Sequence, residues 1–533
     1  MKVKQIPFKK TGFFSKTMLD YLERKEKITP FYHNFPDFDG FQKQLQEKKA
    51  SFTVATRNVL VEALKNQYQL DSVHQISERT QKNIDSLQQE NTFTITTGHQ
   101  LNLFTGPLYF LYKIISTINL CEELSDKFPR ENFVPIYWMA TEDHDFEEIN
   151  YFNFDGKKVQ WNRKDGGAVG QFSTEGLDAV FAVFSGQLPN SKNAAFIRKL
   201  FSEAYLKHNN LAAATCFVAN ELFGEYGLVI LDGADKKLKN LFVPYLKDEL
   251  QNQTSYQEVS KTIDALEKEY PIQVNPREIN LFYLSENSRE RIVLDHETYK
   301  VKDTKISWTK SEILEEVTNF PEKFSPNVMM RPLYQEVILP NLCYIGGGGE
   351  MAYWLELKAY FNALKVPFPI LLLRNSVQII SEKQQRKLNV LNISSQEIFL
   401  KQHELIAKKV IENSAITADF ASKRAFLQQQ FAELKLVAKK TDHSFIGAVN
   451  AQERKQLKGL ESLEKRLLKA EKRRQNDLVE RIVEIQNEIL PNQSLEERQR
   501  NFAEYYLAYG SSFLDVLKAE LKPLQLTFTI IEL

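Results

Sequence analysis

The sequence predicts an α/β protein whose parallel-sheet core carries small β insertions and is followed by a long α-helical antiparallel coiled coil. Three observations carry this expectation. From Phe93 onward, short runs of β-branched, aliphatic and aromatic residues alternate with helical patterns. Two glycine-punctuated stretches with period-two alternation interrupt that order. Residues 381–490 contain no proline and repeat apolar residues at three- and four-residue spacing among dense Lys, Arg and Glu.

Taken in order, residues 1–90 read as a mostly helical, polar segment packed on the core, with early aromatics Phe31, Tyr32, Phe35, Phe38 and Phe41. Residues 91–380 read as the core. Phe93–Thr97 is a short strand, Gly98-His99-Gln100 breaks it, and Thr105-Gly106-Pro107 opens a helix. Proline suits a first helical position, where its missing N–H would have no partner. Leu108, Leu111, Tyr112, Ile115 and Ile118 then keep helical spacing. A helix opening after a strand aims free N–H groups at the sheet's carboxyl edge, where a phosphate would sit. Phe133–Met139, Leu228–Leu231 and Phe368–Leu373 are further strands, apolar enough to be covered on both faces. Residues 151–185 and 276–310 read as β insertions, within wider insertions near 151–205 and 271–325.

In the helical part, one stripe includes Leu405, Ile406, Val410, Phe426, Phe431, Leu434 and Val437. A second runs through Leu460, Leu463, Leu467 and Ala470 into Leu478, Ile482, Ile485 and Ile489. TDHSFIGAVN between them reads as the bend of a helical hairpin. Residues 491–533 return to the core and end in the strand-like LTFTIIEL.

The 533 residues exceed one ordinary core, so two to four domains are expected. Sixty-nine basic side chains balance 69 acidic ones, which argues against a generic nucleic-acid or anionic-membrane binder. Cys121, Cys216 and Cys343 have neither disulfide-framework nor zinc spacing and read as small buried hydrophobes. No secretory signal and no apolar run near the ~20 residues of a membrane span is present, so a protein of the reduced cytoplasm is expected.

Four constellations could carry chemistry. Gly98, His99, Gln100, Asn102, Thr105 and Gly106 could cradle a phosphate, with His99 on a phosphoryl oxygen; they equally form a plain strand-to-helix turn. Glu142, Asp143, His144 and Asp145 follow a strand directly, where α/β sheets bind ligands. Six ionisable side chains between Glu142 and Glu148 repel one another unless a metal, a cationic ligand or Arg/Lys offsets them. They could orient an amine or act as a base. No spacing supports a tightly bound metal. Gly346-Gly347-Gly348-Gly349 before a helix reads as a loop able to wrap phosphate or carboxylate, with Glu350 and Tyr353 facing it. Arg331 upstream and Arg374 after the last strand are anion clamps or ordinary ion-pair partners. Asp232, in LDGAD, could accept from a ribose hydroxyl or cap a helix.

TGHQLNLFTGPLYFLYK, ATEDHDFEEIN, SPNVMMRPLYQEVILP and GGGGEMAYWLELK, in this order and with a long helical C-terminal part, resemble the bacillithiol biosynthesis cysteine-adding enzymes, the BshC family. The resemblance spans essentially the whole chain. It implies a Rossmann-like core similar to class I synthetases, connective insertions and a coiled coil that pairs two subunits. It also implies addition of cysteine to glucosaminyl malate, giving bacillithiol, with ATP and Mg2+ used to activate the carboxylate. Two rival readings are an enzyme of the same fold acting on another small amine, and a nucleotide-sensing coiled-coil scaffold.

Overall fold

Strand Thr92–His99 (β1) is buried at all eight positions, as a strand covered on both faces must be. With Asn132–Met139 (β2), Val229–Asp232 (β3), Asn341–Gly346 (β4) and Ile370–Leu373 (β5) it forms an all-parallel sheet in the order β5-β4-β1-β2-β3. Read from the other edge, this is the doubly wound order, which reverses between β1 and β4 and opens a crevice at their carboxyl ends. Helix Tyr109–Lys127 (α1) follows β1, and Lys236–Asn252 (α2) follows β3. Arg331–Ile338 (α3) and Gly348–Trp354 (α4) flank β4. This computed structural model describes residues 2–70, 76–163, 166–414, 420–441 and 443–533.

The expected strands all form, but β4 was not among them. Its six residues begin with Asn341 and end in Gly346, so the segment reads as the approach to a glycine loop; burial on every position makes it a central strand. Its polar start is what joins the two halves of the sheet. Asn341 Oδ1 accepts from Thr94 Oγ1 (3.3 Å) and Thr96 Oγ1 (2.8 Å), and Asn341 Nδ2 donates to Glu336 Oε1 (2.6 Å). Glu336 Oε2 meets Lys48 Nζ at 3.1 Å, and both side chains are fully buried.

Away from this sheet, Lys2–Ile6 pairs antiparallel with Phe528–Glu532, which pairs parallel with Val377–Ile380. The expected final strand therefore forms, and the N-terminal segment, expected to be mostly helical, contributes a strand as well as helices. The first insertion is a hairpin, Tyr151–Phe154 with Lys157–Gln160, followed by helices Leu177–Gln187 and Lys192–Lys207. The second is a five-stranded antiparallel sheet that includes Leu281–Ser285, Ser288–Asp295 and Phe324–Pro326.

Helices Phe420–Ala438 (α5) and His443–Arg474 (α6) form the hairpin. Arg424 pairs with Glu464 (2.9 Å) and Lys435 with Glu453 (2.5 Å), which fixes an antiparallel register. Phe431, Ala438 and Val449 are its buried contacts. The bend is shorter than TDHSFIGAVN suggested: α6 already includes Ser444–Asn450, and Asp442 lies outside the described residues. Leu405, Ile406, Val410, Ile482, Ile485 and Ile489 pack on the main core instead. Among the described residues no helix is long and apolar enough to cross a membrane, and all three cysteines are buried.

Removing one partner of a buried ion pair strands the other charge. Lys48→Met is therefore expected to cost about 3–5 kcal/mol in urea unfolding, and adding Glu336→Gln should recover much of it. An unchanged unfolding midpoint in Lys48→Met would show that the pair does not hold the seam.

Candidate active site

A cavity of about 800 Å³ lies at the carboxyl ends of β1, β2 and β4 and is walled on one side by the second insertion. It sits at the sheet's switch point, where doubly wound folds bind ligands. Gly98 is the penultimate residue of β1 there. A Cβ on it would stand 3.1 Å from Tyr344 Oη and 3.8 Å from Arg331 Nη1, so glycine lets both side chains close on the strand.

Lys113, one turn into α1 from Tyr109 and so on the same face, is buried and donates to Gly98 O at 2.6 Å. It also pairs with Glu350 at 2.6 Å. Glu350 accepts from Tyr344 Oη (2.7 Å) and the Gly347 N–H (3.1 Å). Burial opposes ionisation of Glu350, but the Lys113 charge and these bonds outweigh it and hold its carboxyl below the usual range. Arg331 donates to Gln335 Oε1 (3.1 Å) and Tyr353 Oη (3.2 Å), both neutral.

The acidic residues after β2 are offset by cations. Glu142 meets the fully buried Lys239 of α2 at 2.7 Å, and Lys239 also donates to Phe324 O (2.8 Å) in the second insertion. Asp143 accepts from Gln100 Nε2 and the His144 N–H, each at 2.8 Å. Burial opposes its ionisation, while these two bonds and the nearby Arg289 charge favour the carboxylate form. Gln100 Nε2 also reaches Glu148 at 2.9 Å, so one amide ties two carboxylates. Arg289 Nη1 lies 2.8 Å from His144 Nδ1, and its other bonds go to Ser325 Oγ and Pro326 O. Among the described residues, neither Arg289 nor Arg331 has a carboxylate within ion-pair distance.

Two family models match nearly the whole chain. "Bacillithiol biosynthesis BshC, N-terminal Rossmann-like domain" covers residues 1–375, and "Bacillithiol biosynthesis BshC, C-terminal coiled-coil domain" covers 377–533. The chain belongs to the BshC family. Its similar relatives include proteins named "Putative cysteine ligase BshC" from Flavobacterium johnsoniae and Flavobacterium psychrophilum, 55% and 57% identical with 99% of each chain covered. The relative of that name from Christiangramia forsetii is 55% identical over 99% of this chain and 98% of its own. The Rossmann-like core and the coiled coil implied by the sequence resemblance are thus those of the BshC family.

Within this BshC chain, Gly98, His99, Gln100, Glu142, Asp143, His144, Arg331, Glu350 and Tyr353 line the cavity. Other expected site residues lie elsewhere. Asp145 is exposed at the start of a short helix. Asn102, Thr105 and Gly106 are packed behind the cavity, because the C-terminal segment takes this turn's backbone: Leu108 N donates to Arg500 O, and Asn501 Nδ2 donates to Phe104 O and Gly106 O. α1 begins at Tyr109, two residues past Pro107. The glycine run is not a free loop either. Gly346 ends β4, Gly347 is a helix N-cap, and Gly348 and Gly349 are the first turn of α4, with a Cβ on Gly348 facing Met18 at 3.2 Å. Arg374 is taken by a buried ion pair with Glu497 (2.7 Å). Asp232 accepts from Thr141 Oγ1 (2.5 Å) and the Ala234 N–H (2.9 Å).

His99 differs most from expectation. It is buried against Tyr109 and Phe110, and burial, with the Lys113 and Arg374 charges, pushes its pKa well below the usual value. A cationic phosphate contact is thereby removed. Among the described residues its Nε2 has no partner, nor do Asn102 Oδ1, Thr105 Oγ1, Tyr137 Oη and Thr215 Oγ1, all from residues around a small void of about 10 Å³. Lys113, Lys239, Tyr344 and Arg289 were missed in the sequence. Arg289 and Arg291 had a signal: they alternate on one strand and both line the cavity.

A histidine neutral in the fold but titrating near about 6.5 when unfolded takes up a proton on unfolding. Stability should therefore fall as pH drops below about 6.5. His99→Gln is expected to flatten that fall by up to about 1.4 kcal/mol per pH unit, read from urea midpoints at about pH 7 and about pH 5.5. Equal slopes in both proteins would mean that His99 is protonated in the fold.

Proposed function

We propose that this chain is a cytoplasmic cysteine ligase of bacillithiol synthesis, joining the carboxylate of cysteine to the amine of glucosaminyl malate at the expense of ATP. The observation that carries this reading is the charge inventory of the cavity. Glu142 and Asp143 are carboxylates able to meet an ammonium, while Arg289 and Arg331 are guanidiniums whose bonds go to neutral groups. Guanidinium matches carboxylate and phosphate geometry. An amino sugar carrying a dicarboxylate, together with a nucleotide, supplies groups of both kinds. About 800 Å³ is at the roomy end for a small-molecule site and suits more than one reactant.

Amide formation from a free carboxylate expels a poor leaving group, so the carboxylate is activated first. In this reading a cysteine carboxylate oxygen attacks the α-phosphorus of ATP and pyrophosphate leaves. The sugar ammonium first gives up one proton to become the free amine; its nitrogen then attacks the acyl carbon, AMP departs with the bond electrons, and the nitrogen loses a second proton to solvent. Asp143, ionised and oriented by Gln100, holds the incoming ammonium and accepts the first of these protons. Arg331 and Arg289 balance phosphate and carboxylate charge. Among the described residues no group of three or more His, Cys, Asp or Glu is placed to hold a metal ion. Mg2+ therefore enters with the nucleotide in this reading, and no step runs through it.

Cysteine-dependent exchange of labelled pyrophosphate into ATP is the direct assay. Asp143→Asn is expected to retain exchange but to lose about 10²-fold or more in amide formation. Absence of both exchange and AMP would sink the adenylate route.

The same reading pairs two copies through the coiled coil. Phe426, Leu436, Val437 and Leu463 of the hairpin are 63%, 60%, 56% and 57% exposed in the single chain. Such a stripe is an interaction surface rather than ordinary solvent-facing helix. Light scattering should give twice the chain mass of 61.9 kDa for the native protein and the single mass for Phe426→Glu/Leu463→Glu. A native monomer would remove the pairing.

A further inference from the structure

We propose that Arg289 is a positioning residue that locks His144 as a neutral imidazole, with Nδ1 as acceptor and Nε2–H as a donor to the ligand. This rests on the cavity reading above. The guanidinium has only donors and keeps its proton, so at 2.8 Å from Arg289 Nη1 the His144 Nδ1 offers its lone pair. The competing arrangement protonates Nδ1 and turns it to Asp143 Oδ1. That separation is 3.7 Å, beyond hydrogen-bond reach, and Oδ1 already accepts from the His144 N–H at 2.8 Å.

Nor is Arg289 free to swing away. It is 9% exposed, donates to Ser325 Oγ (3.0 Å) and Pro326 O (3.3 Å), and lies 4.1 Å above the Phe282 ring. The imidazole packs on the same ring, with centroids 5.5 Å apart. Phe282 thus supports both partners, and the second insertion dictates the tautomer of a residue in the loop after β2. His144 then serves as a hydrogen-bond donor to a carbonyl or phosphoryl oxygen. Asp143, beside it in sequence, is left as the proton acceptor. The two residues divide donor and acceptor roles between them.

Ring-nitrogen NMR of protein labelled in histidine tests this without any substrate. The His144 resonance, identified by its loss in His144→Gln, is expected to show Nδ1 unprotonated and Nε2 protonated. In Arg289→Met the two tautomers should mix, and Arg289→Lys, which keeps a donor, should restore the first. In amide synthesis, Arg289→Met and His144→Gln should each lower kcat/KM by about 10²-fold, with little further loss when combined. A proton on Nδ1 in the native protein, or losses that multiply in the double variant, would overturn the proposal. If the tautomer is as expected but no ligase activity is found with any cysteine and amino-sugar pair, the lock stands and the functional reading falls.

Discussion

The buried polar seam between β1 and β4 is the constraint on which the remaining architecture depends. Asn341 takes two threonine hydroxyls, from Thr94 and Thr96, on one oxygen and gives its amide to Glu336. Those threonines are two residues apart and therefore share a face of β1. A slip of one residue would turn both away and leave Asn341, Glu336 and Lys48 unpaired inside the protein, each at the cost of a desolvated polar group. The seam thus fixes register as well as adjacency. It also reaches the cavity: Gln335, beside Glu336 on α3, donates to Glu336 and accepts from Arg331. A chain of buried contacts runs from Lys48 on the N-terminal segment to a guanidinium that faces the ligand space.

Where anions can bind is settled by competition for hydrogen bonds. The turn after β1 has the form of a phosphate cradle, yet the C-terminal segment occupies it through Arg500 O and Asn501. The same segment takes Arg374 with Glu497 and satisfies the edge of β-strand Val377–Ile380 with Glu496, whose carboxyl burial pushes up to about 7. Among the described residues, the cavity-lining arginines without a carboxylate partner are Arg331, on the core, and Arg277, Arg289 and Arg291, on the insertion. In the proposed reading, anions in this cavity therefore meet side chains rather than a helix terminus.

This competition explains which features were legible in the sequence. Strand cores such as Phe93–Thr97 and Phe133–Met139 announce themselves because burial on both faces demands apolar residues at every position. The acidic run after β2 was legible for the complementary reason, since uncompensated charge at a strand end needs a purpose. β4 was hidden because its polar first residue and terminal glycine serve the seam and the cavity rather than strand propensity. Lys113 and Lys239 were hidden because nothing local marks a lysine that will be buried. Their partners, Glu350 and Glu142, are 237 and 97 positions away along the chain. The glycine run misled because a loop that binds and a helix that begins with two glycines have the same letters.

Lys239 shows how the insertion and the core act as one unit. Its ammonium is fully buried, and burial lowers its pKa even with Glu142 beside it. Glu142 and Phe324 O are the partners that support its charge there. Those partners belong to the acidic loop after β2 and to a strand of the second insertion that carries, next along, the Ser325 and Pro326 acceptors of Arg289. Displacing the insertion would cost Lys239 its bond to Phe324 O and His144 its Arg289 partner at once. The acidic loop would keep Lys239 but lose the nearby Arg289 charge that helps offset its repulsion. Cavity wall and insertion are bonded through these contacts, so the insertion is as much a part of the site as the sheet that bears it.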